Sequence, residues 1–477
     1  MRSCYRTFFL LIGVSLSLLL TACMSSLPMT PEQLAYRPLD FSFPEVETRA
    51  LDNGIQLYLK QDDELPLVQV TALIGSGTIG VSRDLTGFGG VFSETLRTGG
   101  TAAYLPDHLE ERLEALAANL SAGAGALTCE LNLSVRTEDL QEGLTILAEL
   151  LRHPTFDPNS LELARLKSLE DVRRQNDLPR SVAQRLLKAR LYPEHPLGDS
   201  PTQESLLRIT RNQLIEFHHQ HFAPNNLMLA ISGDFENDAL LGMLENLLGD
   251  WAPREASELQ LPPVQAPAAG EIQVVDKKLA QTTVLIGDLG LTKDNPDMYA
   301  VRVMNYILGG GGFNSRLMQE VRSNRGLAYS VYSYFQFGRR LPGTFVASTE
   351  TQNASVGQVL MLMRQIMQDL REQPVPEAEL RLARESLINS FVFGFEDSHA
   401  VASQKMRLDL FDYPEDYLQS YRDRIAAVTI ADVQRVAQKY LQPERQQVVL
   451  VGSAAEFSDK LVDFGLPVRL VSVEQAP

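Results

Sequence analysis

Apolar residues two apart open the readable part of the chain. Ile55, Leu57 and Leu59 alternate with polar positions just after the turn-forming Asp52-Asn53-Gly54, which predicts a strand over Ile55–Leu59. Leu67–Ile74 reads as its partner strand, and residues 108–118 take up helical spacing. In the run from Leu127 to Leu133, Leu127, Cys129, Leu131 and Leu133 share one face of a strand. The period then lengthens to that of a helix through Leu140, Leu144, Leu147 and Leu151, and stops at His153-Pro154. A second helix is predicted after Asp157-Pro158, capped by Asp157 and running to about Asn176. Beyond the turn Pro224-Asn225-Asn226, a strand covers Leu227–Ile231 and ends at Gly233.

The same order of elements returns later in the chain. Adding 219 to a residue number carries Leu161, Leu163, Ala164 and Arg165 onto Leu380, Leu382, Ala383 and Arg384. It carries Thr210, Pro224 and Gly233 onto Thr429, Pro443 and Gly452. One shift that holds without a gap over such distances is the mark of a duplicated unit near 200 residues. Between the copies, residues 255–270 hold Pro262, Pro263 and Pro267 and have no periodicity, as a linker would. The expected divisions are therefore a unit at 48–254, a linker at 255–270 and a second unit at 271–477. Strands mixed with long grouped helices predict an α+β fold in each, with mostly antiparallel sheets and packed helices.

Composition narrows the function classes. There are 60 acidic and 43 basic residues, a formal charge of −17, which argues against nucleic acid as a partner because phosphate backbones call for a surplus of Lys and Arg. At the start, Arg2 and Arg6 precede an apolar stretch from Phe8 to Leu20. Residues 1–22 read as a signal peptide, closing on Leu20-Thr21-Ala22-Cys23, which resembles a bacterial lipobox. Cys23 is then the lipidation site, and residues 23–47 form a Pro-containing tether from the acyl chains to the body. Met24 follows Cys23, where an Asp is the usual inner-membrane retention signal of lipoproteins. The expected address is the cell envelope, on the periplasmic face of the outer membrane. Cys129 remains as the single thiol of the body, without a disulfide partner, and its strand position predicts a buried, inert group.

Candidate chemistry clusters in two places. In the second copy, Leu308-Gly309-Gly310-Gly311-Gly312-Phe313-Asn314-Ser315-Arg316 leads to Arg325-Gly326-Leu327-Ala328-Tyr329. No Gly-Lys-Ser/Thr follows the glycines, so they read as a close backbone approach or hinge rather than a phosphate cradle. In the first copy, Thr86-Gly87 and Gly100-Thr101 bracket Gly89-Gly90-Val91-Phe92-Ser93-Glu94-Thr95-Leu96. Together with His153-Pro154-Thr155-Phe156-Asp157-Pro158 and Phe222-Ala223-Pro224-Asn225-Asn226-Leu227, these stretches resemble the pitrilysin/insulinase family of zinc metallopeptidases, closest to its processing-peptidase branch. The resemblance runs from about residue 48 to the end. It implies two tandem homologous domains of the processing-peptidase (LuxS/metallohydrolase-like) fold.

Where the family's active half carries His-x-x-Glu-His, this chain has no histidine. Two imidazoles one helical turn apart hold the zinc in that motif, and the Glu activates the metal-bound water. Here Glu94, with Glu170 or Asp171 in the region of the family's third ligand, is left as a degenerate set of positions. Carboxylates alone make a poor zinc site. The cluster His218, His219 and His221 has Ala437, Gln438 and Tyr440 at the repeated positions, which favours a structural role. What survives of the family pattern is Arg325 and Tyr329. In active members the matching Arg and Tyr help hold the substrate and its tetrahedral intermediate, as donors to a carbonyl or oxyanion.

The resemblance thus implies a non-catalytic, substrate-holding subunit of a heterodimeric peptidase, with no cofactor bound by this chain. Zinc would sit on a homologous partner chain, and the substrate would be an unfolded peptide added to a sheet edge. Two alternatives stand beside it: a peptide-binding or scaffold lipoprotein without a peptidase role, and a divergent, self-sufficient metallohydrolase built around Glu94.

Overall fold

The computed structural model describes residues 41–254, 259–267, 269–458, 461 and 464–472. Cys23, the signal segment, the tether up to residue 40, and residues 255–258 and 268 of the linker lie outside the described residues.

The first half contributes strands β1 (Glu47–Ala50), β2 (Gln56–Gln61), β3 (Leu67–Ile74), β4 (Asn119–Ala124), β5 (Cys129–Arg136) and β6 (Leu227–Gly233). Its helices are α1 (Phe88–Thr98), α2 (Pro106–Ala115), α3 (Leu140–Arg152), α4 (Pro158–Arg174), α5 (Pro179–Leu191), α6 (Gln203–Leu207), α7 (Arg211–His221) and α8 (Asn237–Leu248). In the second half the strands are β7 (Glu271–Asp276), β8 (Gln281–Leu289), β9 (Leu291–Thr292), β10 (Ala328–Phe335), β11 (Phe337–Gly338), β12 (Thr344–Gln352), β13 (Gln447–Gly452) and β14 (Val468–Leu470). Its helices are α9 (Met298–Asn305), α10 (Val356–Glu372), α11 (Glu377–Ser390), α12 (Ser398–Leu410), α13 (Tyr417–Ala426) and α14 (Ile430–Tyr440). None of the described helices is long and apolar enough to cross a membrane.

Each half builds a six-stranded sheet, in the orders β1-β2-β6-β3-β5-β4 and β10-β12-β8-β13-β7-β14. Most neighbours are antiparallel, but β2 runs parallel to β6 and β13 runs parallel to β7, which in turn is parallel to β14. Leu67–Ile74 is a strand with the expected limits, yet it does not pair with the strand before it: β6 lies between β2 and β3. Alternation reports which face of a strand is buried and is silent about its neighbour.

The linear signals for the long helices hold. α4 starts where Asp157 accepts hydrogen bonds from the Asn159 and Ser160 backbone N–H groups at 2.8 and 3.1 Å, satisfying two of the orphan donors of the first turn. Cys129 is buried at 1% exposure, and burial pushes its thiol up to about 12, so it stays an unreactive core group.

Two large apolar cores lie within the halves, and two smaller ones tie the halves together. Helix α5 packs on β8 and β13 of the second sheet, setting Val182, Leu186, Leu187 and Leu191 against Val275, Leu285, Val449 and Val451. Helix α12 packs on β2 and β6 of the first sheet, with Ala402 and Met406 against Tyr58, Leu73 and Ala230. Each half therefore covers one face of the other's sheet. The two helices are repeats: Pro179 and Leu191 plus 219 give Ser398 and Leu410, the limits of α12. From Phe43 onward the chain forms one compact unit, as that exchange requires.

Candidate functional site

Helix α1 carries the stretch Gly89–Leu96 that the sequence sets against the family's His-x-x-Glu-His. Its inner face buries Phe88, Val91, Phe92 and Leu96, and the Phe92 ring meets those of Phe217, Phe156 and Phe222 at 4.8, 5.7 and 5.8 Å. Gly89 lets the helix settle on the edge strand β4, because a Cβ there would stand 2.5 Å from the Ala124 carbonyl oxygen. Gly90 on the outer face is exposed, with nothing within 4 Å of where its Cβ would be. Ser93 and Glu94 next to it are half-buried.

Glu94 is already engaged. Lys167 Nζ on α4 donates to its Oε1 at 3.0 Å, linking the two helices. Glu170 faces Arg174 at 2.6 Å and Arg173 at 3.6 Å, and Asp171 is exposed. Glu94 and Glu170 thus serve ion pairs on helix surfaces, and Asp171 faces solvent. No group of three or more His, Cys, Asp or Glu side chains is placed to hold a metal among the described residues. The residues at this position do not fit a zinc ion: they offer no imidazole, and a lysine ammonium sits against the one carboxylate on α1.

The histidine cluster is structural. His218 is 8% exposed, its Nε2 lies 3.0 Å from the Leu151 carbonyl oxygen, and its ring packs 4.4 Å from that of Phe222. Burial lowers its pKa to about 4 and also lowers that of His221, while His219 faces solvent.

In the second half, α9 runs into a wide, π-helical turn at Tyr306–Gly310. A Cβ on Gly309 would lie 2.5 Å from the Ser333 backbone nitrogen, so the glycine run serves a close approach to β10, as the sequence suggested. A second wide turn at Met318–Asn324 delivers Arg325, half-exposed and 4.0 Å from Glu320. Tyr329 follows at the start of β10, an edge strand, within a register irregularity between Ala328 and Val331. The bulge re-aims the side chain, and Tyr329 is 85% exposed.

Sequence reasoning missed the residues around this pair. The Arg322 guanidinium lies 4.6 Å from the Phe313 ring and 4.9 Å from the Tyr329 ring, a cation held between two exposed aromatics. Arg180, on the crossing helix α5, donates to the Tyr332 hydroxyl of β10 and so ties that strand to the first half. Phe313 and Arg322 lie inside the motif stretches already singled out, but nothing in their spacing announces the stacking. Beside the start of α1, Thr86–Gly89, Ala124 and Lys188 border a cavity of about 200 Å³.

Known proteins share this arrangement. Residues 58–203 match the family model Insulinase (Peptidase family M16), and residues 208–387 match Peptidase M16 inactive domain. An uncharacterized zinc protease of Bacillus subtilis, YmxG, is 23% identical over 390 residues, covering 81% of this chain and 93% of that protein. The non-peptidase homolog YmxG of Helicobacter pylori is 30% identical over 277 residues, covering 54% and 62% respectively. A crystal structure of a peptidase M16 inactive domain from Pseudomonas fluorescens has the same fold, with a TM-score of 0.77 and 24% identity over 86% of this chain and 98% of its own. A chain of complex III2 from Candida albicans also shares the fold, with a TM-score of 0.71 and 16% identity over 88% of this chain and 98% of its own.

Proposed function

Because this chain belongs to the insulinase family of peptidases, peptidase family M16, with a peptidase-type half followed by an inactive-type half, we propose that it is a non-catalytic member that holds peptide substrate for a zinc-bearing partner chain of the same family. The observation that carries the reading is on α1, where the outward positions are Gly90, Ser93 and Glu94 and Lys167 takes up the carboxylate. A relative named a non-peptidase homolog supports it.

In this reading Arg325 and Tyr329 are the working pair of the second half. Their exposure on and beside an edge strand suits a guanidinium and a phenol that donate to the carbonyls of an extended peptide. The partner supplies the metal-bound water, and this chain supplies grip and electrostatic support. Cys23 anchors the pair to the envelope on the periplasmic face of the outer membrane. Cys23→Ser is expected to release the protein from the membrane fraction, and unchanged membrane association overturns that part.

The decisive experiment co-expresses the chain with a family member from the same source that carries His-x-x-Glu-His, and follows turnover of an unfolded peptide. Arg325→Ala with Tyr329→Phe is expected to lower kcat/KM about 100-fold, the cost of losing donors at a developing oxyanion. Full turnover by the double variant sinks the shared site. Stoichiometric zinc in the isolated chain, lost in Glu94→Gln, would instead establish a self-sufficient hydrolase.

A further inference from the structure

Between α5 of the first half and strands β8, β10 and β12 of the second lies a cavity of about 540 Å³, within the range of small-molecule sites, about 300–1,000 Å³. Leu187, Leu191, Leu285, Phe337 and Val346 give it an apolar body. Two cations, Lys188 and Arg339, also line it, and no aspartate or glutamate does. In a chain with a net charge of −17, an acid-free cavity holding two cations is a selective environment.

Neither cation is in a contact ion pair. Among the described residues, no carboxylate lies within ion-pair distance of Lys188 or Arg339, and the Arg339 guanidinium stacks 4.6 Å from the Phe411 ring. Both side chains reach solvent; the surrounding protein lowers each below its ordinary value, with Arg407 adding to the effect on Arg339, while Asp199 attracts Lys188 and Glu130 attracts Arg339. A cation bordering an apolar cavity without acids in its lining offers an arriving anion a charge-assisted hydrogen bond. The apolar walls ask for something a small inorganic anion lacks.

We propose that this cavity binds an apolar group ended by a single carboxylate, its body among Leu187, Leu191, Leu285 and Val346 and its carboxylate paired with Lys188 or Arg339. The proposal stands apart from any zinc-bearing partner, since every residue it uses is on this chain. Two sources present this chemistry: the C-terminal residue of a peptide with an apolar side chain, and a free fatty acid.

The test is calorimetric titration of the full chain with dodecanoate against dodecanol, and with a short peptide ending in a free leucine against its C-terminal amide. At least one acid is expected to bind about tenfold or more tightly than its neutral counterpart, as one charge-assisted contact predicts. Binding of dodecanoate alone assigns a lipid source, and binding of the peptide acid alone assigns a peptide source. Lys188→Gln or Arg339→Gln should erase the preference for the acid while sparing dodecanol. Val346→Trp should reduce binding of acid and alcohol alike by filling the body of the cavity. Unchanged melting temperatures in the two cation variants show that they fold. Equal binding of acids and neutral analogues, no binding of either acid, or an acid preference untouched in both cation variants overturns the proposal.

Discussion

Helices α5 and α12 are repeats of each other and cross in opposite directions, yet their seats differ in chemistry. α5 rests on an apolar bed, with eleven buried side chains from both halves in one cluster. α12 contributes two residues to a cluster of five, flanked by Val46, Met228 and Leu410, and polar contacts complete its seat. His399 stands 2.9 Å from Thr71 Oγ1 and 3.0 Å from Ser232 Oγ, Ser398 donates to Asp62, and Arg407 donates to Glu130. Duplication preserved where the helices lie and let the adhesion diverge. One crossing is held mainly by area removed from water, without direction, with Arg180 on Tyr332 and Arg190 on Glu271 at its margins. The other is held by placed hydrogen bonds, which solution conditions can address.

The largest test of that contrast is Leu186→Ala on α5. Leu186 is 2% exposed in the apolar seat, and its truncation should cost about 3 kcal/mol of unfolding free energy in a urea titration. A loss below about 1 kcal/mol would mean that the α5 seat is not the firm one.

Next comes pH at the other crossing. Burial holds His399 below its ordinary value, so the folded state resists a proton that the unfolded chain accepts near about pH 6.5. Stability should therefore decline as pH falls through that value, at up to about 1.4 kcal/mol per pH unit for each proton withheld. His399→Gln should flatten the decline without abolishing it, because His218 and His221 are lowered by burial as well. Identical pH dependence in variant and parent removes the contrast between the crossings.

A smaller effect separates the helices that precede the crossings. α4 is capped by Asp157, whereas the repeated position before α11 is Pro376, which offers no side-chain cap. Asp157→Ala should lower stability by about 1 kcal/mol in the same titration, and a neutral result would show that the cap is redundant. The smallest expected change is Arg407→Gln, whose partly exposed ion pair with Glu130 is worth about 0.5 kcal/mol. A much larger loss would promote the polar seat to the stronger of the two.

What could be read from the sequence follows the range of each signal. The 219-residue register places α7 on α14 as well, since Arg211 and His221 plus 219 give Ile430 and Tyr440. The loss of imidazoles from α1 is equally plain, because it concerns residue identity at one helical turn. The crossing is not legible: the apolar stripe of α5 states that a face is buried but not whose strands cover it. For the same reason β6 intrudes unannounced between β2 and β3. The pairing of Glu94 with Lys167, 73 residues away, and the cavity beside α5 arise only when distant segments meet.

The exchange of α5 and α12 also bears on how such a chain could have arisen. Each sheet is covered by a helix encoded in the opposite copy, so an ancestral half-length polypeptide standing alone would have left one sheet face bare. Two such polypeptides, each lending the other a helix, would have hidden both. The present chain has the form of such a helix-swapped pair joined into one polypeptide. Severing that connection should leave two fragments that find one another again, while either fragment expressed by itself should aggregate.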